Sequence, residues 1–320
     1  MIYILYDKPV SIEDMSFLTK ELKNEFHEIY PKERCVTLKQ MLASCNEVIN
    51  HVNENDCIVC WYDFMGILCW WNSRLRGKRI KIIAINILLK NKKTLKNIIA
   101  KFLYKMALES KDFFPTVTAI EYGNYVNNIL GTKCQFTLLH DVYHKSYVHD
   151  AKLLKINNSV FCGGRNGRDW NLLFTLASML PNLTFNCVMP SGLYEDYNNR
   201  ICDNVNVMID VTEEVFLDVL CKSYIVVMPL DTEAPAGLTV FFQAAANNKL
   251  IITSNTVTTR EYLSNGRGIL CGNSTEEWCD KIQYYFCHLD EATACAEKLR
   301  TYLENECSEY SYSNNLSMLI

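Results

Sequence analysis

The sequence alternates short apolar runs with amphipathic segments of helical length along most of the chain. This alternation is typical of βαβ units, in which helices connect parallel strands and cover both faces of the sheet. The apolar runs predict strands at 2–6, 57–61, 80–85, 116–120, 136–139, 159–163, 184–188, 205–209, 224–230, 250–253 and 268–270. Helices are predicted at 171–180, 212–222, 238–246 and 276–288, and a terminal helix at 290–304 is expected to pack back across the domains. The pattern therefore predicts an α/β fold.

The chain of 320 residues is longer than the commonest single domain and suits two domains of about 150 residues each. A polar stretch at 144–158 separates the two groups of predicted strands. We therefore predict two Rossmann-like domains that face a cleft, an N-terminal domain at 1–150 and a C-terminal domain at 151–320.

Composition and charge disfavour several classes of protein. The net charge of -4 and the pI near 5.9 lack the basic excess of a general nucleic-acid-binding domain. Many of the 15 cysteines lie inside apolar strand-like runs, which indicates buried reduced thiols rather than disulfides or a structural metal site. No run approaches the ~20 apolar residues of a membrane span, and the N-terminus lacks the positive region of a signal peptide. We expect a cytoplasmic protein.

The segment 224–254 contains a strand, a loop, a helix and a second strand. In an open parallel sheet, ligands bind beyond the carboxyl ends of the strands, so the loop 229–237 lies where a ligand is expected. Gly237 permits close backbone approach, and the free amides at the start of the next helix favour a phosphate. We predict that a diphosphate binds at Gly237, Leu238 and Thr239. The alternative is that Gly237 only punctuates an ordinary βα loop.

The run VVMPL...APAGLTVFFQAAANNKLIITS resembles the donor-site segment of retaining GT-B glycosyltransferases (glycosyl transferases group 1, family 4-like). That family has an apolar strand ending in Pro, an acidic residue, Gly-Leu, and a helix with Glu-Ala-Met-Ala before a second strand. The resemblance implies that Glu233 contacts the transferred sugar and that Gln243 lies at the ribose hydroxyls. Gln243 replaces the family's glutamate, and its spacing from Glu233 is longer than in the usual motif. A glutamine still offers donor and acceptor atoms to two hydroxyls.

A second segment, SVFCGGRNGRDWNLLFTLA at 159–177, resembles the opening of the same family's C-terminal domain. The leaving group there is a nucleoside diphosphate, whose negative charge grows as the glycosidic bond breaks, so cationic groups stabilise it. Arg165 and Arg168 offer rigid, permanently charged forks of donors, and Gly164 permits a tight turn beside them. The pattern fits neither the dinucleotide fingerprint nor a Walker loop, which disfavours dehydrogenases and NTPases. The alternative is a surface pair of Arg168 and Asp169 at the entry of the helix.

The resemblance implies retaining transfer of a hexosyl group from a nucleoside-diphosphate sugar to a glycan or lipid-linked glycan acceptor. It also implies a role in surface polysaccharide synthesis, with no metal required, at the cytoplasmic side of a membrane. A nucleotide-sugar epimerase of the same fold is a second enzymatic interpretation. A non-catalytic nucleotide-sugar or glycan-binding subunit is a third, and the glutamine at position 243 keeps it open.

The N-terminal half matches the family only in outline, and its most distinctive segment is 88–108, which carries lysines but no acidic residue. Apolar residues recur there at steps of three and four, which predicts an amphipathic helix. A basic helix of this kind binds an anionic membrane surface. The alternative is a helix whose apolar face packs on the sheet while its lysines face water. The lysines are Lys90, Lys92, Lys93, Lys96, Lys101 and Lys105.

Two further expectations concern single polar residues. Asp63 and Glu121 each lie near the end of a predicted strand and are candidate acceptor contacts. The stretch 251–272 is similar to the family's segment after the second strand. Within it, Thr258 is predicted as a helix N-cap with Glu261 three residues on, which forms a capping box.

Overall fold

The computed structural model describes residues 1–10, 15–89, 94–149 and 158–320. These residues build two six-stranded sheets, in which every strand runs parallel to the strands that flank it. Helices alternate with the strands, which confirms the predicted α/β class with two Rossmann-like domains. Among the described residues, every helix is too short or too polar to cross a membrane.

The first unit comprises Met1–Val142 together with Glu309–Ile320. Its strands are β1 (Ile2–Leu5), β2 (Phe26–Ile29), β3 (Cys57–Cys60), β4 (Lys81–Ala84), β5 (Phe113–Val117) and β6 (Thr137–Leu138). Its helices between the strands are α1 (Leu38–His51), α2 (Asp63–Leu75), α3 (Leu95–Leu108) and α4 (Ile120–Leu130). The order across the sheet is β2-β1-β3-β4-β5-β6.

The second unit comprises Tyr143–Ser308. Its strands are β7 (Ser159–Gly163), β8 (Thr184–Met189), β9 (Val205–Ile209), β10 (Ile225–Met228), β11 (Leu250–Ser254) and β12 (Ile269–Cys271). Its helices are α5 (Trp170–Met179), α6 (Ser191–Tyr197), α7 (Glu213–Lys222), α8 (Leu238–Ala246), α9 (Val257–Leu263), α10 (Thr275–Cys287) and α11 (Leu289–Glu306). The order across the sheet is β12-β11-β10-β7-β8-β9.

Both faces of the second sheet are covered. Val160 and Cys162 pack into one hydrophobic cluster, whereas Phe161 between them packs into the cluster on the opposite side. This division follows from the two-residue period of a strand, which sends successive side chains to opposite faces. Continuous apolar strands such as β7 therefore belong inside a helix-covered parallel sheet.

The strand order of the second sheet reverses at β7. This strand pairs with β8 on one side and with β10 on the other, so the connections after β7 and β10 run in opposite directions across the sheet. The loops that follow these two strands leave the same edge of the sheet. A parallel sheet opens its ligand crevice at such a switch point.

The last helix, α12 (Glu309–Leu319), follows the second unit in sequence but belongs to the first. The Glu21 amide donates to Ser313 Oγ at 2.8 Å, and Ser313 Oγ donates to the Leu18 carbonyl at 3.1 Å. Lys20 forms an ion pair with Glu309 at 2.7 Å. These contacts fix the C-terminal residues to the N-terminal unit.

The units therefore differ from the predicted domains 1–150 and 151–320, because the chain crosses back after Ser308. The helix predicted at 290–304 is part of α11, which packs on α8 and β11 within the second unit. The expectation that it packs across the domains stays a prediction. The helix that returns to the first unit is α12.

Three elements of the first unit differ from the prediction. Strand β2 was not predicted, because its short run at the sheet edge contains His27 and Glu28. The strand predicted at 116–120 is β5, which ends before Ile120 begins α4. The helix predicted at 88–108 is α3, with Thr94 as its N-cap, and positions 90–93 lie outside the described residues.

Candidate functional site

The loops after β7 and β10 are joined by backbone contacts at the switch point. Arg168 and Leu230 form an antiparallel bridge. The Asp169 amide donates to the Pro229 carbonyl at 3.0 Å, and the Asp231 amide donates to the Gly167 carbonyl at 3.1 Å. Two segments that lie far apart in sequence thus form one local structure at the carboxyl edge of the sheet.

The guanidinium of Arg168 is buried in this structure and bonds to backbone carbonyls. The residue is only 7% exposed. Its Nε donates to the Gly163 carbonyl at 2.9 Å and its Nη1 donates to the Asn166 carbonyl at 2.8 Å. Burial lowers the pKa of Arg168, and Cys162 and Asp231 act in the opposite direction. Because a guanidinium keeps its charge in proteins, the site carries a fixed and oriented cation.

Helix α8 begins beside this cation without a capping side chain. Its N-cap is Gly237, which has a φ of 81° and no side chain that could accept a hydrogen bond from the first amides. The first bond of the helix runs from the Phe241 amide to the Gly237 carbonyl at 2.9 Å. The amides of residues 238–240 donate to no other described residue, and the helix dipole places a positive partial charge at this end.

The spacing between Gly237 and Arg168 leaves no room for a larger residue. A Cβ atom on Gly237 would lie 3.0 Å from Nη1 and 3.2 Å from Nη2 of Arg168, and 2.8 Å from Met228 Cε. Gly164, which has a φ of 126°, faces the same guanidinium, and a Cβ atom there would lie 2.8 Å from Cζ. Two glycines, one buried guanidinium and a helix N-terminus together form a site suited to phosphate oxygens.

Arg165 has a different environment from Arg168. Its side chain is exposed on the loop after β7 and bonds to no other described residue. The structure therefore joins Arg168 directly to Gly237 but gives Arg165 no contact with either residue.

The side chain of Glu233, in the loop between β10 and α8, contacts the N-terminus of α9. Its Oε2 accepts a hydrogen bond from the Val257 amide at 2.7 Å, and its carbonyl accepts one from Thr258 Oγ1 at 2.8 Å. The capping box of α9 is formed by Thr256 and Thr259, so the predicted box of Thr258 with Glu261 is wrong. The hydroxyl of Thr258 holds the Glu233 loop instead.

Gln243 contacts a carboxylate that sequence analysis did not single out. The residue is only 4% exposed, and its Nε2 donates to Glu213 Oε1 at 3.3 Å. Glu213 is exposed in the first turn of α7, which follows β9 at the same edge of the sheet. One turn later in α7 lies Phe216. Its ring approaches Gly163 so closely that a Cβ atom added to this glycine would lie 2.7 Å from Phe216 Cε2. The start of α7 therefore lies beside the loop that carries Arg168.

The comparisons with known proteins concern structure. No protein-family model matches the sequence, and no curated protein matches it. HepE of Anabaena, solved in complex with UDP, is similar with a TM-score of 0.75 and 10% identity over 99% of each chain. Sucrose-phosphate synthase from Thermosynechococcus elongatus gives a TM-score of 0.71 and 13% identity over 100% of this chain and 98% of that one. A glycosyltransferase from Rickettsia africae gives a TM-score of 0.65 and 14% identity over 99% of this chain and 96% of that one.

The chain has the GT-B fold. Its two Rossmann-like domains match those of GT-B glycosyltransferases along nearly their full lengths. Within this GT-B chain, the residues predicted to bind the donor all lie in the second unit, where Arg168, Gly237 and Gln243 occupy loops and helices at the carboxyl edge of one sheet.

The two candidate acceptor contacts lie in the first unit of the GT-B fold and have different environments. Asp63 is buried in the first turn of α2 and accepts hydrogen bonds from the Tyr104 hydroxyl at 2.6 Å and the Leu88 amide at 2.8 Å. These bonds tie α2 to α3 and give the carboxylate a structural function. Glu121 is exposed in the first turn of α4.

Proposed function

We propose that this protein is a glycosyltransferase that uses a nucleoside-diphosphate sugar as its donor. The observation that carries the proposal is the contact of the buried Arg168 guanidinium with the uncapped N-terminus of α8 at Gly237. Oriented amides and a fixed guanidinium suit a diphosphate group. The fold is consistent with this chemistry, since HepE was solved with UDP and with UDP-glucose.

Catalysis rests on the charge that develops on the leaving diphosphate. As the glycosidic bond breaks, negative charge moves onto the phosphate oxygens, and groups already oriented towards that position stabilise the transition state. Arg168 is oriented before the donor arrives, because two backbone carbonyls hold it. Arg165 adds a second positive charge from the exposed loop. Glu233 contacts the transferred hexosyl group, and transfer retains the anomeric configuration.

The ribose hydroxyls of the donor are assigned to Gln243 and Glu213 together. Gln243 supplies the buried amide at this position, and its Nε2 orients the exposed Glu213 carboxylate at 3.3 Å. A carboxylate accepts hydrogen bonds from two adjacent hydroxyls, which a glutamine amide alone does less strongly. The carboxylate missing from position 243 is thus replaced from the neighbouring helix.

Replacement of Glu213 by glutamine is expected to weaken nucleoside-diphosphate binding about tenfold, because a hydrogen bond to a charged group is lost. Binding of inorganic pyrophosphate, which has no ribose, should stay within about twofold. Titration calorimetry with both ligands measures the difference. Glu214→Gln, in the same first turn of α7, is the matched control. Equal losses for both ligands, or for both variants, would contradict the ribose assignment.

Transfer is proposed to need no divalent cation, because Arg168, Arg165 and the α8 amides neutralise the diphosphate. We expect EDTA to change the transfer rate by less than about twofold. The measurement is the rate of nucleoside-diphosphate release with EDTA and with added Mg²⁺ or Mn²⁺. A loss above about tenfold that added metal restores would show that a cation shares this task.

The acceptor is proposed to be a glycan or lipid-linked glycan in surface polysaccharide synthesis at the cytoplasmic face of a membrane. A lipid-linked acceptor suits a transferase that docks on a lipid surface. Transfer to extracted lipid-linked saccharides, compared with transfer to the same saccharides freed from lipid, tests this assignment.

One experiment tests the proposed function against its alternatives. A thermal-shift screen against nucleoside diphosphates and their sugars identifies the donor, because a ligand of the folded state raises the melting temperature. The selected nucleotide sugar is then incubated with the protein, with and without acceptor extract. Release of nucleoside diphosphate supports a transferase. A nucleotide sugar with altered configuration and no release indicates an epimerase, and binding without any turnover indicates a non-catalytic subunit.

A further inference from the structure

Helix α3 of the first unit has two apolar faces. One face packs against the unit through the buried residues Tyr104, Ala107 and Leu108. The opposite face carries five large apolar side chains that are between 39% and 74% exposed. They recur at steps of three and four residues and so form one stripe along the helix. These residues are Leu95, Ile98, Ile99, Phe102 and Met106.

The exposed stripe excludes one interpretation of the sequence. An amphipathic helix beside a sheet normally buries its apolar stripe, and a soluble surface rarely presents several large apolar side chains together. Here the stripe faces away from the residues that pack on the unit. The alternative in which this apolar face covers the sheet is therefore wrong.

Lysines flank the stripe on both sides. At about 100° per residue, Lys96 lies on one side of the stripe, and Lys101 and Lys105 lie on the other. The helix contains no acidic residue along Leu95–Leu108. Lysine stems can cover apolar surface while their ammonium groups reach outward, so this arrangement complements an apolar layer bordered by negative charge.

The helix is held in this orientation by the rest of the unit. Trp71 Nε1 donates to the Leu103 carbonyl at 3.3 Å, and the Trp71 ring lies 6.2 Å from the ring of Phe102. Thr94 caps the N-terminus by accepting from the Asn97 amide at 3.3 Å. Tyr104 donates to the buried Asp63 carboxylate at 2.6 Å. The stripe is thus presented outward by a fixed helix.

We propose that α3 docks on the surface of an anionic lipid bilayer, with its apolar stripe in the interface and its lysines among the headgroups. A second copy of the chain is a poorer occupant, because two such faces brought together would place their flanking lysines near one another. The docking does not depend on the proposed transfer reaction, although it would bring a lipid-linked acceptor close to the enzyme.

Vesicle sedimentation of the full chain tests the docking. We expect recovery with vesicles of phosphatidylcholine and phosphatidylglycerol, little recovery with phosphatidylcholine alone, and release as salt is raised. Ile99→Gln with Phe102→Gln is expected to weaken partitioning about a hundredfold, because two apolar side chains no longer enter the interface. Lys96→Gln with Lys105→Gln is expected to weaken it about twenty-five-fold on anionic vesicles.

Matched controls come from elsewhere on the chain. Leu75→Gln removes an apolar side chain that is 82% exposed outside α3, and Lys39→Gln with Lys298→Gln removes two exposed lysines. Neither control should alter partitioning by more than about twofold. The thermal denaturation midpoint of the full chain, measured without ligand, should stay within a few degrees of wild type in every variant and shows that each one is folded.

Two outcomes would overturn the docking. One is equal recovery of the wild-type chain from neutral and anionic vesicles, or equal partitioning of the α3 variants and their controls. The other is a wild-type dimer in sedimentation velocity that the stripe variant dissociates, with no recovery on vesicles, which assigns the face to self-association. Because donor binding is measured separately, neither outcome bears on the proposed transferase function.

Discussion

Replacement of Gly237 by valine is expected to weaken nucleoside-diphosphate binding about a hundredfold, which is the loss of about two hydrogen bonds to a charged group. Gly237 adopts a φ of 81°, which a β-branched residue adopts only under strain. Its Cβ atom would lie 3.0 Å and 3.2 Å from the two terminal nitrogens of Arg168. The added side chain therefore separates the guanidinium from the amides of α8. Titration calorimetry with the donor chosen by thermal shift measures the loss.

The control must separate blocked binding from backbone strain. Gly77 has a similar φ of 70°, but a Cβ atom there meets nothing within 4 Å. Gly77→Val should therefore cost stability through strain while leaving nucleotide affinity within about twofold. If Gly237→Val does not fold, Gly237→Ala takes its place. This variant adds a single methyl group and should give a smaller loss of affinity. Unchanged affinity in a folded Gly237→Val variant would remove α8 from the proposed donor site.

The second sheet was predictable from the sequence because its central strands, β7 and β10, are short apolar runs that are buried along their whole length. Strand β7 and helix α8 have the predicted bounds, and so does the edge strand β9, although it is only partly buried. Such runs specify strands buried on both faces, so local pattern and tertiary position agree there. Strand β2 lacks this agreement, since an edge strand with His27 and Glu28 has only part of its surface buried.

The return of α12 to the first unit could not be predicted from local pattern. The helix is marked by no distinctive residue, and its position depends on bonds between Ser313 and residues near Leu18, almost the whole chain away. Hydrophobic periodicity specifies that a segment is helical and which face is buried. It does not specify which of two cores receives that face.

The candidate site was predictable to the extent that topology determines it. Loops after strands of one parallel sheet leave the same edge, so the meeting of the Arg168 loop with Gly237 follows from the strand order. The neighbours of individual side chains do not follow. Glu213 reaches Gln243 because α7 and α8 are adjacent, and Glu233 reaches α9 through Val257. The sequence signal for Glu213 was the pair Glu213 and Glu214 at the start of a helix that follows a strand. Such a pair does not by itself indicate a ligand site, because acidic residues in a first turn also interact favourably with the helix dipole.

Replacement of Arg168 by alanine is expected to lower kcat about a thousandfold, the usual loss when one oriented donor to developing charge is removed. Donor affinity should fall much less, because the diphosphate of the intact donor carries less charge than the leaving group. Arg168→Lys keeps a positive charge but loses the rigid fork that the Gly163 and Asn166 carbonyls hold. Its kcat should therefore lie between that of the wild type and that of Arg168→Ala.

The exposed Arg165 provides the comparison for Arg168. Solvent screens its charge, so Arg165→Ala should lower kcat less than about fivefold. Single-turnover rates with saturating donor measure the chemical step, and dissociation constants from calorimetry measure ground-state binding. Because Arg168 also supports the loop after β7, thermal denaturation must show that each variant is folded at the assay temperature. A folded Arg168→Ala variant with an unchanged rate, or with affinity and rate reduced equally, would show that the buried guanidinium serves the loop and not the leaving group.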